Sequence, residues 1–328
     1  MTTTSHAITA TGLRKAYGDH GDHVVLDGLD LAVAEGTVYA LLGPNGAGKT
    51  TTVQILSTLV AADGGHITVG GHDPARDPRA VRARIGVTGQ FAAVDAKLTG
   101  EENLILMADL HHLGRQEGRR RTAGLLERFG LTDAAQKLPE AYSGGMRRRL
   151  DLAMTLVGDP RIIFLDEPTT GLDPRSRHAM WQIVRELVAD GVTVLLTTQY
   201  LEEADQLADR IGVLDGGRLV AEGTAEELKR LVPGGHVRLR FADPAEYERA
   251  ARALHGTALD DEALTLQIPG DGSARELKSL LDRLEAEAIE AESVSVHAPD
   301  LDDVFFILTT EHSHQPAADA DVRKEALR

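Results

Sequence analysis

The chain has 328 residues, which predicts one large or two modest domains, and its 42% hydrophobic and 26% charged content is ordinary for a globular protein. It has no cysteine, which excludes disulfide bonds and thiolate metal sites, and no apolar run reaches the ~18 residues that a membrane-spanning helix needs. The net charge of −16 disfavours a nucleic-acid binder, which usually has a basic surface, and disfavours direct attachment to anionic lipid.

The first residues lack the charged start and apolar core of a signal peptide, so we expect a cytoplasmic protein. Strands are predicted between residues 7 and 42, where apolar stretches alternate with turns. A helix is predicted in GKTTTVQILSTLV, and a turn with a short strand in GGHITVGG. From about residue 97 to residue 158 the pattern becomes helical, and Thr99 with Glu102 has the spacing of a capping box.

Two short apolar runs, RIIFLDEP and TVLLTTQ, are typical of buried parallel strands. A second capping box, Thr224 and Glu227, predicts a helix that ends near VPGG. Strands and helices then alternate three times, which predicts a small α+β domain. The predicted organisation is a first domain at 1–231, with a helical subdomain at about 97–158, a second domain at 232–311, and a polar tail at 312–328 that we expect to be disordered.

The stretch ALLGPNGAGKTTTVQIL contains a phosphate-binding pattern between a predicted strand and a predicted helix. Its glycines let backbone N–H groups face one point, and the helix N-terminus adds partial positive charge. Lys49 is suited to reach the β- and γ-phosphates of a nucleotide, and the Thr50 hydroxyl is suited to bind Mg²⁺. A glycine-rich turn is the alternative, but the order of strand, loop and helix favours a P-loop. The predicted binding residues are Gly43, Pro44, Asn45, Gly46, Ala47, Gly48, Lys49, Thr50 and Thr51.

A P-loop ATPase also needs carboxylates, and RIIFLDEPTTGLD supplies two. Asp166 ends an apolar strand, where ligands bind in open α/β sheets, and is predicted to hold Mg²⁺. Glu167 follows it and is predicted to act as the general base for the attacking water. The alternative is an acidic pair that caps a helix, which Pro168 and the nearby P-loop make less favourable.

With YSGGMRRRLDLAMTLVGDPRIIFLDEP, these motifs resemble the ATP-binding subunits of ABC transporters. The first residues are similar to the family's Leu-Ser-Gly-Gly-Gln signature, although this chain begins it with Tyr142 and ends it with Met146. The resemblance implies a head-to-tail homodimer in which ATP bound by one copy contacts the signature of the other, at Ser143, Gly144 and Gly145. Taken by themselves, the three arginines at 147–149 suggest nucleic-acid binding. The net negative charge of the chain instead favours local packing and solvation of these side chains.

The resemblance also implies roles for three residues outside these motifs. Tyr17 would stack on adenine, with a core or turn position as the alternative. Gln90 would sense Mg²⁺ and contact the membrane subunit, and Asp173 would communicate across the dimer. Within the family, the chain is most similar to daunorubicin/doxorubicin-resistance ATP-binding proteins of the DrrA type, in TGQFAAVDAKLTGEENL, YSGGMRRRLDLA and TTQYLEEADQLADRI.

Gln199 follows the predicted strand TVLLTT, at a position where most ABC ATPases have a histidine that contacts the γ-phosphate. In the resistance subgroup glutamine is usual, so the resemblance implies a functional substitute. A glutamine amide donates a hydrogen bond but carries no charge and transfers no proton. Gln199 would therefore position the phosphate while Glu167 acts as base. The alternative is that Gln199 only caps the helix near Leu201.

The predicted function is an ATP-hydrolysing subunit, with ATP and Mg²⁺ as cofactors, that drives a separate membrane permease. It would export a drug-like or lipid-like molecule and contact the membrane only through the permease. The implied fold is α/β, a P-loop ABC ATPase domain with a mixed sheet core, an antiparallel β-subdomain and a helical signature subdomain, followed by a small α+β domain.

Two alternative functions predict sequence features that differ from those of this chain. A soluble ABC ATPase of translation or DNA repair predicts two ATPase modules or a long coiled coil, together with a basic patch. This chain has one module and a net charge of −16. A regulator that rarely hydrolyses ATP is disfavoured by the presence of Lys49, Asp166 and Glu167.

Overall fold

The computed structural model describes residues 5–18, 22–90, 93–231, 235–254, 258–260, 264–270, 273–297 and 300–305. These residues form two compact units, one within residues 1–225 and the other within residues 226–328. Among the described residues, no helix combines the length and the apolar character that crossing a membrane requires. The predicted tail at 312–328 lies outside the described residues.

The first unit contains a three-stranded antiparallel sheet. Its central strand is β1 (His6–Tyr17), which pairs with β2 (His23–Ala34) on one side and β4 (Gly64–Val69) on the other. Its inward apolar residues are buried in one core with residues of α1 (Lys49–Leu56), the helix after the P-loop. This sheet is the predicted antiparallel β-subdomain.

Six strands form the main sheet of the first unit. In spatial order they are β5 (Ile85–Thr88), β6 (Ile162–Asp166), β7 (Thr193–Thr198), β3 (Val38–Leu42), β8 (Arg210–Asp215) and β9 (Arg218–Gly223). All neighbours are parallel except β8 and β9. Every residue of β3, β6 and β7 is buried, as expected for parallel strands covered on both faces. Because β7 lies between β3 and β6, the carboxyl ends of these three strands meet at one edge.

Helices dominate the chain between residues 100 and 156. They are α3 (Gly100–Leu110), α4 (Arg115–Arg128) and α5 (Gly144–Leu156), and the other helices of the first unit that we label are α2 (Pro78–Arg82), α6 (Pro174–Ala189) and α7 (Leu201–Leu207). The capping box predicted before α3 is present. The Thr99 hydroxyl accepts from the Glu102 N–H at 3.2 Å, and the Glu102 carboxylate accepts from the Thr99 N–H at 2.7 Å.

The second unit begins within α8 (Ala225–Lys229) and contains a four-stranded antiparallel sheet. Its order is β11 (Ala258–Asp260), β12 (Thr265–Pro269), β10 (His236–Arg240) and β13 (Ser293–His297). Two helices, α9 (Pro244–Leu254) and α10 (Ala274–Ala286), share its apolar core, and residues 301–305 are helical. The predicted alternation of strands and helices is present, with β11 as an additional strand. The predicted fold class is confirmed.

We predict that Thr99→Ala lowers the free energy of unfolding by about 1 kcal/mol, because it removes the hydroxyl that satisfies an N–H group of α3. Thr99→Ser keeps this hydroxyl and serves as the matched control. Urea denaturation followed by the fluorescence of Trp181, the single tryptophan and a residue of the first unit, measures the effect. Equal stability of Thr99→Ala and wild type would show that the capping box contributes nothing.

Candidate active site

The P-loop joins β3 to α1 and requires glycine at two close approaches. A Cβ atom on Gly43 would lie 2.3 Å from the carbonyl oxygen of Leu214, and one on Gly48 would lie 2.9 Å from the carbonyl oxygen of Val25. Gly48 also has a φ of +107°, which side chains strongly disfavour. No side chain caps α1, so its first N–H groups remain available to an anion.

Lys49 lies buried beside this loop, with 5% of its surface exposed. Its Nζ atom donates to the carbonyl oxygens of Gly43 at 2.7 Å and Pro44 at 3.0 Å, and lies 3.9 Å from Glu167 Oε1. Burial lowers the pKa of Lys49, and the carboxylates of Glu167 and Asp166 act in the opposite direction. The structure therefore brings the predicted cation and the predicted base together at the P-loop.

Asp166 ends β6 and faces two hydroxyl groups. Its Oδ1 atom accepts from Thr50 Oγ1 at 3.2 Å and from Thr197 Oγ1 at 2.5 Å. Hydroxyl and carboxylate oxygens suit Mg²⁺, which usually keeps several waters and binds substrate phosphates. In the described part of the chain, no group of three or more His, Cys, Asp or Glu side chains could hold a metal. A metal at Thr50 and Asp166 would therefore need further oxygens from phosphate and water.

Glu167 has a left-handed backbone, with a φ of 48°. This conformation costs a non-glycine residue about 1–3 kcal/mol and persists only where surrounding contacts enforce it. The Glu167 N–H donates to the carbonyl oxygen of Thr197 at 3.1 Å, and the Thr170 hydroxyl donates to Glu167 Oε2 at 3.2 Å. These contacts hold the predicted base at the end of β6, beside β7.

Gln199 is the first residue after β7 and is half-buried. Helix α7 begins at Leu201, its N-cap residue is Tyr200, and no side chain caps it. Gln199 therefore does not cap α7 in the structure, contrary to the alternative interpretation. The amide makes no hydrogen bond within the described residues. Because β7 lies between β3 and β6, Gln199 is at the same sheet edge as the P-loop and Glu167.

The signature residues begin α5, where the exposed Ser143 is the N-cap and accepts from the Met146 N–H at 3.2 Å. Gly145 packs against Ser176, because a Cβ atom there would lie 2.4 Å from the Ser176 hydroxyl. Asp173 caps α6 and accepts from the N–H and hydroxyl of this same Ser176, at 3.0 and 2.6 Å. No hydrogen bond or ion pair between described residues joins 143–145 to the P-loop, so one copy does not bring these two motifs into such contact.

Among the described residues, Tyr17 and Gln90 make no hydrogen bond or ion pair with Lys49, Asp166 or Glu167. Tyr17 ends β1 with 39% of its surface exposed, which argues against a core position, and Lys15 Nζ lies 5.2 Å from its ring centroid. Gln90 follows β5, is exposed, and forms no hydrogen bond to a described residue. Because β5 pairs with β6, Gln90 follows a strand that ends at the same sheet edge as Asp166, and its contact with Mg²⁺ stays a prediction.

Three buried charged residues, Arg148, Asp151 and Glu203, were not predicted as site residues from the sequence. Glu203 of α7 is fully buried, and its Oε1 atom accepts from Thr169 Oγ1 at 2.8 Å and Trp181 Nε1 at 3.2 Å. Burial raises the pKa of Glu203. Arg148 of α5 is 8% exposed, which agrees with the local packing predicted for the three arginines, and Arg147 is exposed, which agrees with the predicted solvation. Helical spacing could have predicted the burial of Arg148, because position 148 lies on the same helix face as the buried positions 145 and 152.

Comparisons with known proteins agree with this geometry. The ABC transporter family model matches residues 26–170. The chain is 53% identical over 305 residues to the daunorubicin resistance ATP-binding protein DrrA3 of Streptomyces coeruleorubidus, an alignment that covers 92% of this chain and 96% of that protein. It is 44% identical over 312 residues to the doxorubicin resistance ATP-binding protein DrrA of Mycobacterium tuberculosis, covering 93% and 94%.

Two solved structures are also similar. One is an ATP-binding subunit of an ABC transporter, with a TM-score of 0.61, 30% identity, and coverage of 69% of this chain and 92% of that one. The other is a dimeric ATP-binding cassette in a post-hydrolysis state with ADP and phosphate bound, with a TM-score of 0.60, 26% identity, and coverage of 66% and 98%. This chain belongs to the ATP-binding proteins of the ABC transporter family. It is an ATPase, and its predicted likeness to the daunorubicin/doxorubicin-resistance proteins is confirmed.

We predict that Gln199→Ala slows ATP turnover about ten- to a hundredfold, because the γ-phosphate loses a donated hydrogen bond worth roughly 1.5–3 kcal/mol. ATP affinity should fall less, because the P-loop provides most phosphate contacts. Gln199→His keeps a donor and should retain activity, with a new pH dependence near ~6.5.

Steady-state rates across pH, with Gln206→Ala as the control on the exposed face of α7, measure these effects. If Gln199→Ala hydrolyses ATP at the wild-type rate, Gln199 has no role at the phosphate.

Proposed function

We propose that this chain is the ATP-hydrolysing subunit of an exporter whose membrane permease is a separate protein. The observation that carries the proposal is the convergence of Lys49, Asp166 and Glu167 at the carboxyl ends of β3 and β6, with Lys49 Nζ 3.9 Å from Glu167 Oε1. A cation that neutralises phosphate, oxygens that suit Mg²⁺ and a carboxylate base are the parts that ATP hydrolysis needs.

In this proposal the triphosphate binds across the P-loop. Lys49 exchanges its contacts with loop carbonyl groups for contacts with the β- and γ-phosphates, and the uncapped start of α1 binds phosphate oxygens. Thr50 and Asp166 would hold Mg²⁺ together with phosphate and water, since their oxygens are already 3.2 Å apart. When bound, Mg²⁺ neutralises phosphate charge that develops during the reaction.

Glu167 accepts a proton from the attacking water, and Gln199 donates a hydrogen bond to the γ-phosphate from the neighbouring strand end. This division of roles is supported by the chemistry of the two side chains, because a glutamine amide accepts no proton at neutral pH. Tyr17 contributes an exposed ring at the end of β1 on which an adenine could stack.

Two copies of the chain bind ATP between them in the proposed mechanism. The exposed Ser143 and Gly144 at the start of α5 would contact the nucleotide held by the P-loop of the partner copy. Asp173 is hydrogen-bonded to Ser176, which packs against Gly145 of this motif. Asp173 would therefore contact the partner near the same interface. The dimeric ATP-binding cassette with a similar fold supports this arrangement.

The proposed cargo is a drug-like molecule such as an antibiotic. Relatives that align along more than nine-tenths of the chain are named for resistance to daunorubicin and doxorubicin.

We place the protein on the cytoplasmic face of the cell membrane, in contact with the permease near Gln90 and the helices between residues 100 and 156. The permease would select the cargo.

No observation favours a role in translation or DNA repair, because the chain has one P-loop and a net charge of −16. A rarely hydrolysing regulator would be expected to lack part of the set formed by Lys49, Asp166 and Glu167.

We predict that Glu167→Gln retains ATP binding and stops turnover, because the amide cannot accept a proton. ATP should then hold two copies together, since the bound nucleotide is not hydrolysed. Light scattering with ATP and Mg²⁺ should give the mass of a dimer, and the control without nucleotide should give less dimer. A Glu167→Gln protein that binds ATP and remains monomeric would contradict the shared-site mechanism.

A further inference from the structure

One buried ion pair lies on the inner face of α5, formed by Arg148 and Asp151. Arg148 Nη1 and Asp151 Oδ2 are 3.3 Å apart, and the residues are 8% and 3% exposed. Burial disfavours both charges: it lowers the pKa of Arg148 and raises the pKa of Asp151, and the attraction between them opposes both changes. Removing one partner would leave the other as an uncompensated buried charge.

The guanidinium group of Arg148 holds the backbone on both sides of Glu167. Nη2 donates to the carbonyl oxygens of Asp166 at 3.0 Å and Glu167 at 3.3 Å, and Nε donates to that of Pro168 at 2.9 Å. These three carbonyl groups belong to the left-handed Glu167 and to the residues on either side of it. Arginine suits this role because its donors have a fixed planar arrangement, which a lysine ammonium lacks.

The same ion pair holds the chain on both sides of Gln90. Arg148 Nη1 donates to the carbonyl oxygen of Gly89 at 2.7 Å, and the Ala93 N–H donates to Asp151 Oδ1 at 2.8 Å. Gly89 is the residue before Gln90, and Ala93 follows it by three positions. The pair therefore contacts two segments that are distant in sequence, one around Gln90 and the other at residues 166–168.

We propose that the Arg148–Asp151 pair is a positioning element that couples the Gln90 segment to Glu167. A shift of Gly89 or Ala93 changes the hydrogen bonds that hold the pair, and the pair holds the backbone that aims the Glu167 carboxylate. Movement of the Gln90 segment by a bound partner would thus change the alignment of the base. This inference rests on the role proposed for Glu167, and it adds a route by which that role is controlled.

The experiment compares Arg148→Lys, Arg148→Met and Asp151→Asn with wild type. Asp151 is the decisive position, because it has no hydrogen bond to residues 166–168 and acts on them only through Arg148. We measure kcat, the dissociation constant of ATP, and hydrogen exchange of peptides that cover residues 85–90 and 162–170. The exposed neighbour Arg147→Met is the matched control for removal of a positive charge from α5.

The proposal predicts that Arg148→Lys and Asp151→Asn each lower kcat at least about tenfold and leave the ATP dissociation constant within about twofold. Both substitutions should accelerate exchange in both peptides. The double variant Arg148→Met/Asp151→Asn should lose no more activity than Arg148→Met, because a coupled pair gives non-additive effects. Arg147→Met should resemble wild type in all three measurements.

Wild-type kcat in Arg148→Lys and Asp151→Asn would overturn the proposal, and so would faster exchange confined to one peptide. Glu167→Gln measured in parallel separates the two hypotheses: if it turns over normally, the role of Glu167 fails, and if it is inactive while Asp151→Asn is normal, only the coupling fails. If Arg148→Met does not fold, the two milder substitutions decide the outcome.

Discussion

The position of β7 between β3 and β6 is the constraint on which the site depends. Consecutive residues at the end of β7 bond to both neighbours: the Thr197 carbonyl oxygen accepts from the Glu167 N–H at 3.1 Å, and that of Thr198 accepts from the Gly43 N–H at 3.3 Å. The first residue of the P-loop and the predicted base are therefore held by adjacent peptide groups. Gln199 follows directly, so its place in the chain puts it at the same sheet edge, although its amide makes no hydrogen bond to a described residue.

Several charged side chains are buried near this sheet edge, although protein interiors rarely contain charged groups. Lys49, Asp166, Arg148, Asp151 and Glu203 are all buried in the first unit. Buried charges add little net stability even when paired, so their concentration here indicates a function. The left-handed backbone of Glu167 adds strain at the same place, and strain persists where surrounding contacts impose it.

Local patterns made much of this site predictable from the sequence. The P-loop and the capping box of α3 involve residues within a few positions of each other, so their chemistry can be read from spacing alone. The contacts of Arg148 with Gly89 and Asp166 join residues 59 and 18 positions apart, and only the packing of α5 against the strand ends creates them. Glu203 was missed for the same reason, because its partners lie on α6 and in the loop after β6. The short strand β11 was missed because three residues carry too little periodicity.

Whether two copies share each ATP site is tested most directly by mixing two inactive variants. Lys49→Ala disables the P-loop of its own copy, and Ser143→Phe disables the signature offered to the partner. A mixed dimer contains one site with both motifs intact and one with neither. Random pairing makes half of the dimers mixed, so an equimolar mixture should recover about a quarter of the wild-type ATPase activity. A mixture as inactive as its components would contradict the shared site, and full activity of Ser143→Phe alone would show that the signature is not required.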